Sequence, residues 1–184
     1  MVQVLAIVIV ILVIVILAII MLYNSVIRLS NEVENSFSQI DVQLKRRNDL
    51  IPNLIESVKG YMKHEKTVLE NITKARSAIM TSSNINEKAK ASNQISQALK
   101  TIFAVSENYP KLRANENFIQ LQEELTGTEN KVSYSRQHYN DVVMKFNNKI
   151  QVFPNNVFAN ILNFKEKELF QAAESERKNI KVQF

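Results

Sequence analysis

The amino-acid sequence predicts an all-α protein: an N-terminal transmembrane helix followed by an antiparallel bundle of long helices. Three observations carry that expectation. The first 27 residues hold no charged side chain, and residues 4–22 are 19 consecutive apolar residues, "VLAIVIVILVIVILAIIML". Beyond them, apolar residues recur at three- and four-residue steps, the spacing that gathers them on one face of a helix. Only two Gly and three Pro occur in 184 residues, too few turn formers for an architecture of many short elements.

At ~1.5 Å per residue, a helix of the apolar stretch covers roughly 28 Å, close to the hydrocarbon thickness of a bilayer. Val and Ile favour strand in water. In lipid, every backbone polar group has to be satisfied within the segment, and a helix does so. A cleaved signal peptide needs a basic flank, a shorter apolar run and a small-x-small cleavage site, and the stretch offers none of them. It has no Gly and two Ala, so it carries no small-xxx-small packing face. It reads as a tether in the cell membrane, in contact with the lipid bilayer. Residues 1–24 are accordingly assigned to a transmembrane anchor, residues 25–153 to a helical bundle and residues 154–184 to a tail packed on it. Arg28 is the sole basic residue near the C-terminal end of the span, the N-terminal flank is very short, and Tyr23 suits the interface. The expected orientation is N-terminus outside and the remaining chain cytoplasmic. The absence of Cys leaves the compartment open on redox grounds.

Val26, Leu29, Val33, Phe37, Ile40, Leu44, Ile51, Ile55, Val58, Met62, Leu69, Ile72 and Ile79 keep the helical steps and pass Pro52 without a phase change. They predict one long kinked helix, with a restart at Asp49 as the alternative. "TSSNIN" is a polar connection, and a second helix is expected over residues 87–107, bearing Ile95, Leu99, Ile102 and Phe103. Pro110 marks the next connection. The third helix has the cleanest seam: Phe118, Leu121, Leu125, Thr128, Val132, Ser135, Tyr139, Val142, Phe146, Ile150 and Phe153, with Gly127 permitting close approach or weakening the seam. After Pro154 the pattern loosens, and a short helix or two is expected before the apolar end "VQF".

Sites of chemistry are scarce. Gly60 and Gly127 cannot supply a phosphate loop or a dinucleotide fingerprint. His64-Glu65 opens like a zinc helix, but Val68 stands where the second His belongs, so neither metal nor cofactor is expected. Carboxylates such as Glu123 and Glu124 occur on any solvated helix, and His138 falls beside the third-helix seam. No enzymatic activity is expected. The net charge of +5 resides in residues 61–113, which carry nine basic and four acidic side chains. That excess begins tens of ångströms along the helix from the headgroups, beyond the ~8 Å reach of screened attraction. A solvated face, an acidic partner or a neighbouring subunit remain as its readings. Nucleic acid does not fit, for want of interleaved aromatic residues.

The stretch "LKRRNDLIPNL" sets three cations inside the first seam. Stepping from Ile40 through Leu44 to Ile51 leaves position 47 to complete it, so Arg47 points inward while Lys45 and Arg46 lie on exposed faces. A buried charge has to be paired. Glu123, Glu124 and Glu129 lie at or beside the third-helix seam, and Glu129 is the expected partner of Arg47, in a two-pronged contact. Pro52 frees a carbonyl near residue 48 on the same turn. The alternative is that the triplet binds phosphate or lipid.

"QIDVQLKRRNDLIPNL", "ENYPKLRANENFIQLQ", "TEN" and "YNDVV" are the blocks by which the chain resembles the LemA family of bacterial membrane proteins, with similarity from the anchor to the C-terminal end. That resemblance implies one N-terminal membrane helix and a cytoplasmic helical bundle, and it implies no known catalysis. One stretch departs from the family pattern: "NFKEKELFQAAESERKN" stands where members often carry Pro or Gly. The leading functional expectation is a membrane-anchored scaffold that forms a homo-oligomer. The second is a signalling or regulatory adaptor that recruits a protein partner.

Overall fold

The computed structural model describes residues 1–62 and 65–170. The protein is all-α, with no strand among the described residues. In order come α1 (Val2–Lys59), α2 (Lys66–Thr81), α3 (Ile85–Ser106), α4 (Pro110–Arg113), α5 (Glu116–Gln151) and α6 (Asn155–Ile161). The chain divides into two compact units. One comprises residues 1–37 and 138–168, and the other residues 38–137 with, among the described residues, 169–170.

The first unit begins with the anchor. None of the side chains of residues 4–22 is buried by protein, and the apolar helix presents all its faces outward. A helix apolar all round and uncovered is suited to lipid. Further along α1, Val26, Val33 and Ser36 are buried, as are Tyr139, Val142, Val143, Phe146 and Ile150 of α5. Phe37 and Tyr139 meet with ring centroids 5.8 Å apart. Asn163 ends α6 in the left-handed region at φ 56°. The Phe164 N–H donates to the Ala159 carbonyl at 2.9 Å, and the Asn163 N–H to that of Asn160 at 3.2 Å. Asn is second only to Gly in accepting the backbone conformation that such a helix closure needs.

Of the short helix or two expected after Pro154, α6 is the one among the described residues. Residues 164–170 are non-helical and run back along α5. The Asn147 side-chain amide donates to the Lys167 carbonyl and accepts from the Lys167 N–H, both at 2.9 Å. It satisfies both backbone groups of one residue, as a neighbouring strand would. The Tyr139 hydroxyl donates to the Glu168 carbonyl at 2.9 Å, and Phe164 sets its ring against Phe146 at 6.5 Å. Burial, with the Glu168 charge adding, pushes the Tyr139 phenol up to about 12. Phe153 is a further correction. Expected on the third seam, it is 77% exposed, because α5 stops at Gln151 and the chain turns before Pro154. The expected tail reaches beyond this, and residues 171–184 lie outside the described residues.

In the second unit, Ile40, Leu44, Ile51, Leu54, Val58 and Met62 are buried along one stripe. The expected run of one helix to Ile79 is not what forms. α1 ends at Lys59 and α2 starts at Lys66. Gly60, the weakest helix former in this stretch apart from Pro52, marks the break. Tyr61 and Met62 close a turn on the Val58 carbonyl at 3.0 and 2.8 Å, and this keeps Met62 inside. α2 and α3 pack as an antiparallel hairpin across residues 82–84. Asn84 caps α3 by accepting from the N–H groups of Asn86 and Glu87 at 2.8 and 3.4 Å. Asn115 does the same for α5 through Phe118 at 3.2 Å. Gly127 faces open space, with nothing within 4 Å of where a Cβ would stand, so it serves no packing among the described residues.

α1 continues through Pro52. Proline has no N–H, so the Asn48 carbonyl one turn back loses its helical donor. Arg76 of α2 replaces it, with Nε 3.1 Å from the Asn48 oxygen. Leaving a buried carbonyl without a donor costs about 1–3 kcal/mol, so Arg76→Ala should destabilise by that order. In a Pro52→Ala background the restored N–H serves the carbonyl, and the same substitution should cost less by about 1 kcal/mol. Urea unfolding of the four proteins of this cycle checks it, and equal costs in both backgrounds would refute the replacement.

Candidate functional site

The densest polar arrangement in the second unit is built around one seam position of α1. Ile40, Leu44, Ile51 and Leu54 fill the neighbouring seam positions, and Arg47 occupies the level between Leu44 and Ile51 with none of its surface exposed. Lys45 and Arg46 are exposed, so the triplet does not form one cationic surface. A side chain of this length fits because α3 is lined with small residues at this level: Ala89, Ala91 and Ser92 are buried and Ser96 half-buried.

Arg47 reaches α3 and α5 together. Nη1 donates to the Glu129 carboxylate and, at 3.1 Å, to the Ser96 hydroxyl. Nη2 donates to the Ser92 hydroxyl at 2.5 Å and to the Ser92 carbonyl at 3.3 Å. Ser96 donates in turn to the other Glu129 oxygen at 2.7 Å, so both carboxylate oxygens are bonded. Burial pulls the Arg47 guanidinium below its ordinary value, and the adjacent Glu129 carboxylate opposes that shift by charge and hydrogen bond. The Glu129 side chain keeps about a third of its surface, at 34%. One partner is thus fully desolvated while the other still touches water.

Two further contacts brace the cluster. Arg136 of α5 donates to the Ser92 hydroxyl at 2.6 Å and lies over the Phe170 ring, 4.8 Å from its centroid. Lys88 of α3 bonds both oxygens of Asp41 on α1 at 2.7 and 2.8 Å. Of the acids weighed from the sequence, Glu123 and Glu124 are exposed, and Glu129 is the one beside Arg47. One guanidinium nitrogen meets it rather than the expected two-pronged contact, because Ser96 takes its other oxygen and Ser92 takes Nη2. His138 is half-buried next to Tyr139. Sequence reasoning did not single out Ser92 and Ser96. Their signal is a pair of small hydroxyl residues four apart, on the stripe that also carries Ile95 and Leu99. Among the described residues, no group of three His, Cys, Asp or Glu is placed to hold a metal. What this arrangement does is clamp: one guanidinium ties three helices.

Breaking a buried pair by removing one member costs ~3–5 kcal/mol. Arg47→Ala should therefore lower stability by about 3 kcal/mol or more, since Glu129 regains some water but a large side chain is lost. Lys45→Ala should stay within about 0.5 kcal/mol. Denaturant unfolding followed by helical circular dichroism measures both. Similar small effects at the two positions would show that the guanidinium is not a structural element.

The comparisons with known proteins align with this architecture. The sequence model of the LemA family matches residues 36–184, a span that includes every residue of the Arg47 cluster. Protein LemA of Metamycoplasma hominis is 30% identical over 161 residues, covering 85% of this chain and 72% of that protein. Two magnetosome proteins of Paramagnetospirillum magneticum, MamQ 1 and MamQ 2, are each 22% identical over 177 residues and 82% of this chain. The chain spans 65% of the length of each of these two. With an uncovered apolar N-terminal helix and a family match over most of its length, this membrane-associated helical chain belongs to the LemA family.

Proposed function

We propose that the protein is a membrane-tethered helical scaffold that self-associates through its water-exposed helices. The observation that carries this reading is the anchor: an apolar stretch without a small-residue face, continuous in α1 with helices whose interior is already closed by the Arg47 clamp. Lateral association then has to come from outer faces of the soluble helices, and tethering raises their effective concentration. The N-terminus lies outside and the helical part in the cytoplasm, in keeping with the charge pattern around the span. The role is non-catalytic.

Sedimentation of the full-length protein in mild detergent should give a protein mass several times that of the 21.1 kDa chain. A single-chain particle at high concentration sinks the scaffold reading. A particle that stays single until another protein is added favours the adaptor. For orientation, a reporter fused to the C-terminus should be active in the cytoplasm. Digestion of a C-terminal tag in intact cells by added protease would show the opposite arrangement.

A further inference from the structure

Two surfaces of the second unit are complementary in charge. The first is a groove of ≈ 970 Å³ between the end of α1 and α2. Ile55, Met62 and Leu69 supply its apolar lining, and Lys59, Lys66 and Lys74 stand at its rim with Glu70. All three lysines are exposed. A groove between helices with an apolar floor is shaped to receive the face of another helix.

The second surface is the outward stripe of α5. Glu116, Ile119, Gln120, Glu123, Gly127 and Tyr134 follow helical spacing opposite the buried stripe of Phe118, Leu125, Thr128 and Val132. Ile119 and Tyr134 leave 42% and 74% of their surface exposed. Glu124 flanks the stripe, Glu129 is held by Arg47, and the exposed Lys131 follows Gly127. The acids of the stripe thus gather in its N-terminal half, at Glu116, Glu123 and Glu124. Gly127 sits in the stripe with open space around it, although an exposed mid-helix Gly costs about 1 kcal/mol relative to Ala. That position offers a partner helix close approach to the α5 backbone.

We propose that the outward stripe of α5 in one copy docks into the lysine-rimmed groove of a second copy. The proposal rests on the self-association reading and assigns its surfaces. The acids meet Lys59, Lys66 and Lys74, and Ile119 and Tyr134 lie toward the apolar floor. Each copy carries both patches, so the contact either closes reciprocally in a two-fold dimer or repeats from copy to copy as a ring or an open chain.

The test is charge exchange in the full-length protein in mild detergent. K66E/K74E and E123K/E124K should each raise the concentration for half-assembly about tenfold or more, because like charges then face each other. The fourfold variant should return it toward the original value. Helical circular dichroism and the melting temperature of each variant should match the parent, since all four residues are exposed. Should a charge variant fail to fold, mixed isotope-labelled copies of the parent, joined by a zero-length carboxyl–amine cross-linker, give the same answer. Links from Lys66 or Lys74 to Glu123 or Glu124 between copies support the interface, and links confined to other surfaces overturn it. An assembled parent whose reversed variants assemble equally well overturns this interface and leaves self-association standing. A parent that does not assemble overturns both.

Discussion

A cation with no exposed surface, Arg47, is the constraint on which the second unit is organised. Desolvating a guanidinium is costly, and its Coulomb attraction to a carboxylate compensates only where geometry and further hydrogen bonds are good. The surrounding residues meet those conditions at the two terminal nitrogens, while Nε has no hydrogen-bond partner among the described residues. Small residues on α3 admit the side chain, two serines supply oxygens, and Glu129 supplies the counter-charge with both of its own oxygens bonded. Such a cluster also fixes register. Sliding α1 by one turn, about 5.4 Å, would bring Leu44 or Ile51 to the carboxylate and press the guanidinium onto hydrocarbon. The seam of repeated Ile and Leu would tolerate that slide, and the charge does not.

The next residue extends the same logic to α2. Asn48 is buried, and its carbonyl is released by Pro52 and taken by Arg76. Consecutive residues of α1 are therefore tied to three other helices, Arg47 to α3 and α5 and Asn48 to α2. A proline in the interior of a long helix looks like damage in isolation. Here it converts an internal backbone hydrogen bond into one between helices.

The long elements and the inward Arg47 were legible because both rest on strict helical spacing. Three- and four-residue steps place Arg47 among Ile40, Leu44 and Ile51, and one cation in that row has a short choice of acids. The same spacing concealed the break after Lys59. Met62, Leu69 and Ile72 keep the phase across the turn, because Met62 is held inside by backbone bonds to Val58. Periodicity reports which residues are buried, and a turn that buries its own residue preserves the pattern while the helix ends. Residues 164–170 were beyond such reasoning for another reason. A non-helical segment held by the side-chain amide of Asn147 has no period of its own, and one Asn among many carries no mark of the role. Ser92 and Ser96 fall between these cases, visible only once the helix opposite Arg47 is known.

Membrane tethering changes what an interface has to be. Chains confined to a surface meet at effective concentrations that reach the millimolar range, so a contact of about 4 kcal/mol is already well populated. An interface that weak needs no large apolar patch, and a large one would be a hazard before assembly. The outer stripe of α5 has that restrained character. Ile119 and Tyr134 are separated by acids, a glycine and Lys131 rather than joined into a continuous apolar surface. The lysine-rimmed groove has it too, with hydrocarbon at the floor and charge at the edge. Attraction between such surfaces is screened by salt and adds mostly to encounter and orientation. The interior, by contrast, is locked by a desolvated charge that salt barely reaches. Under the proposed self-association, lateral assembly on a membrane calls for rigid helices with weak, directional outer faces, and the sequence separates the two by where it buries a charge and where it leaves charges exposed.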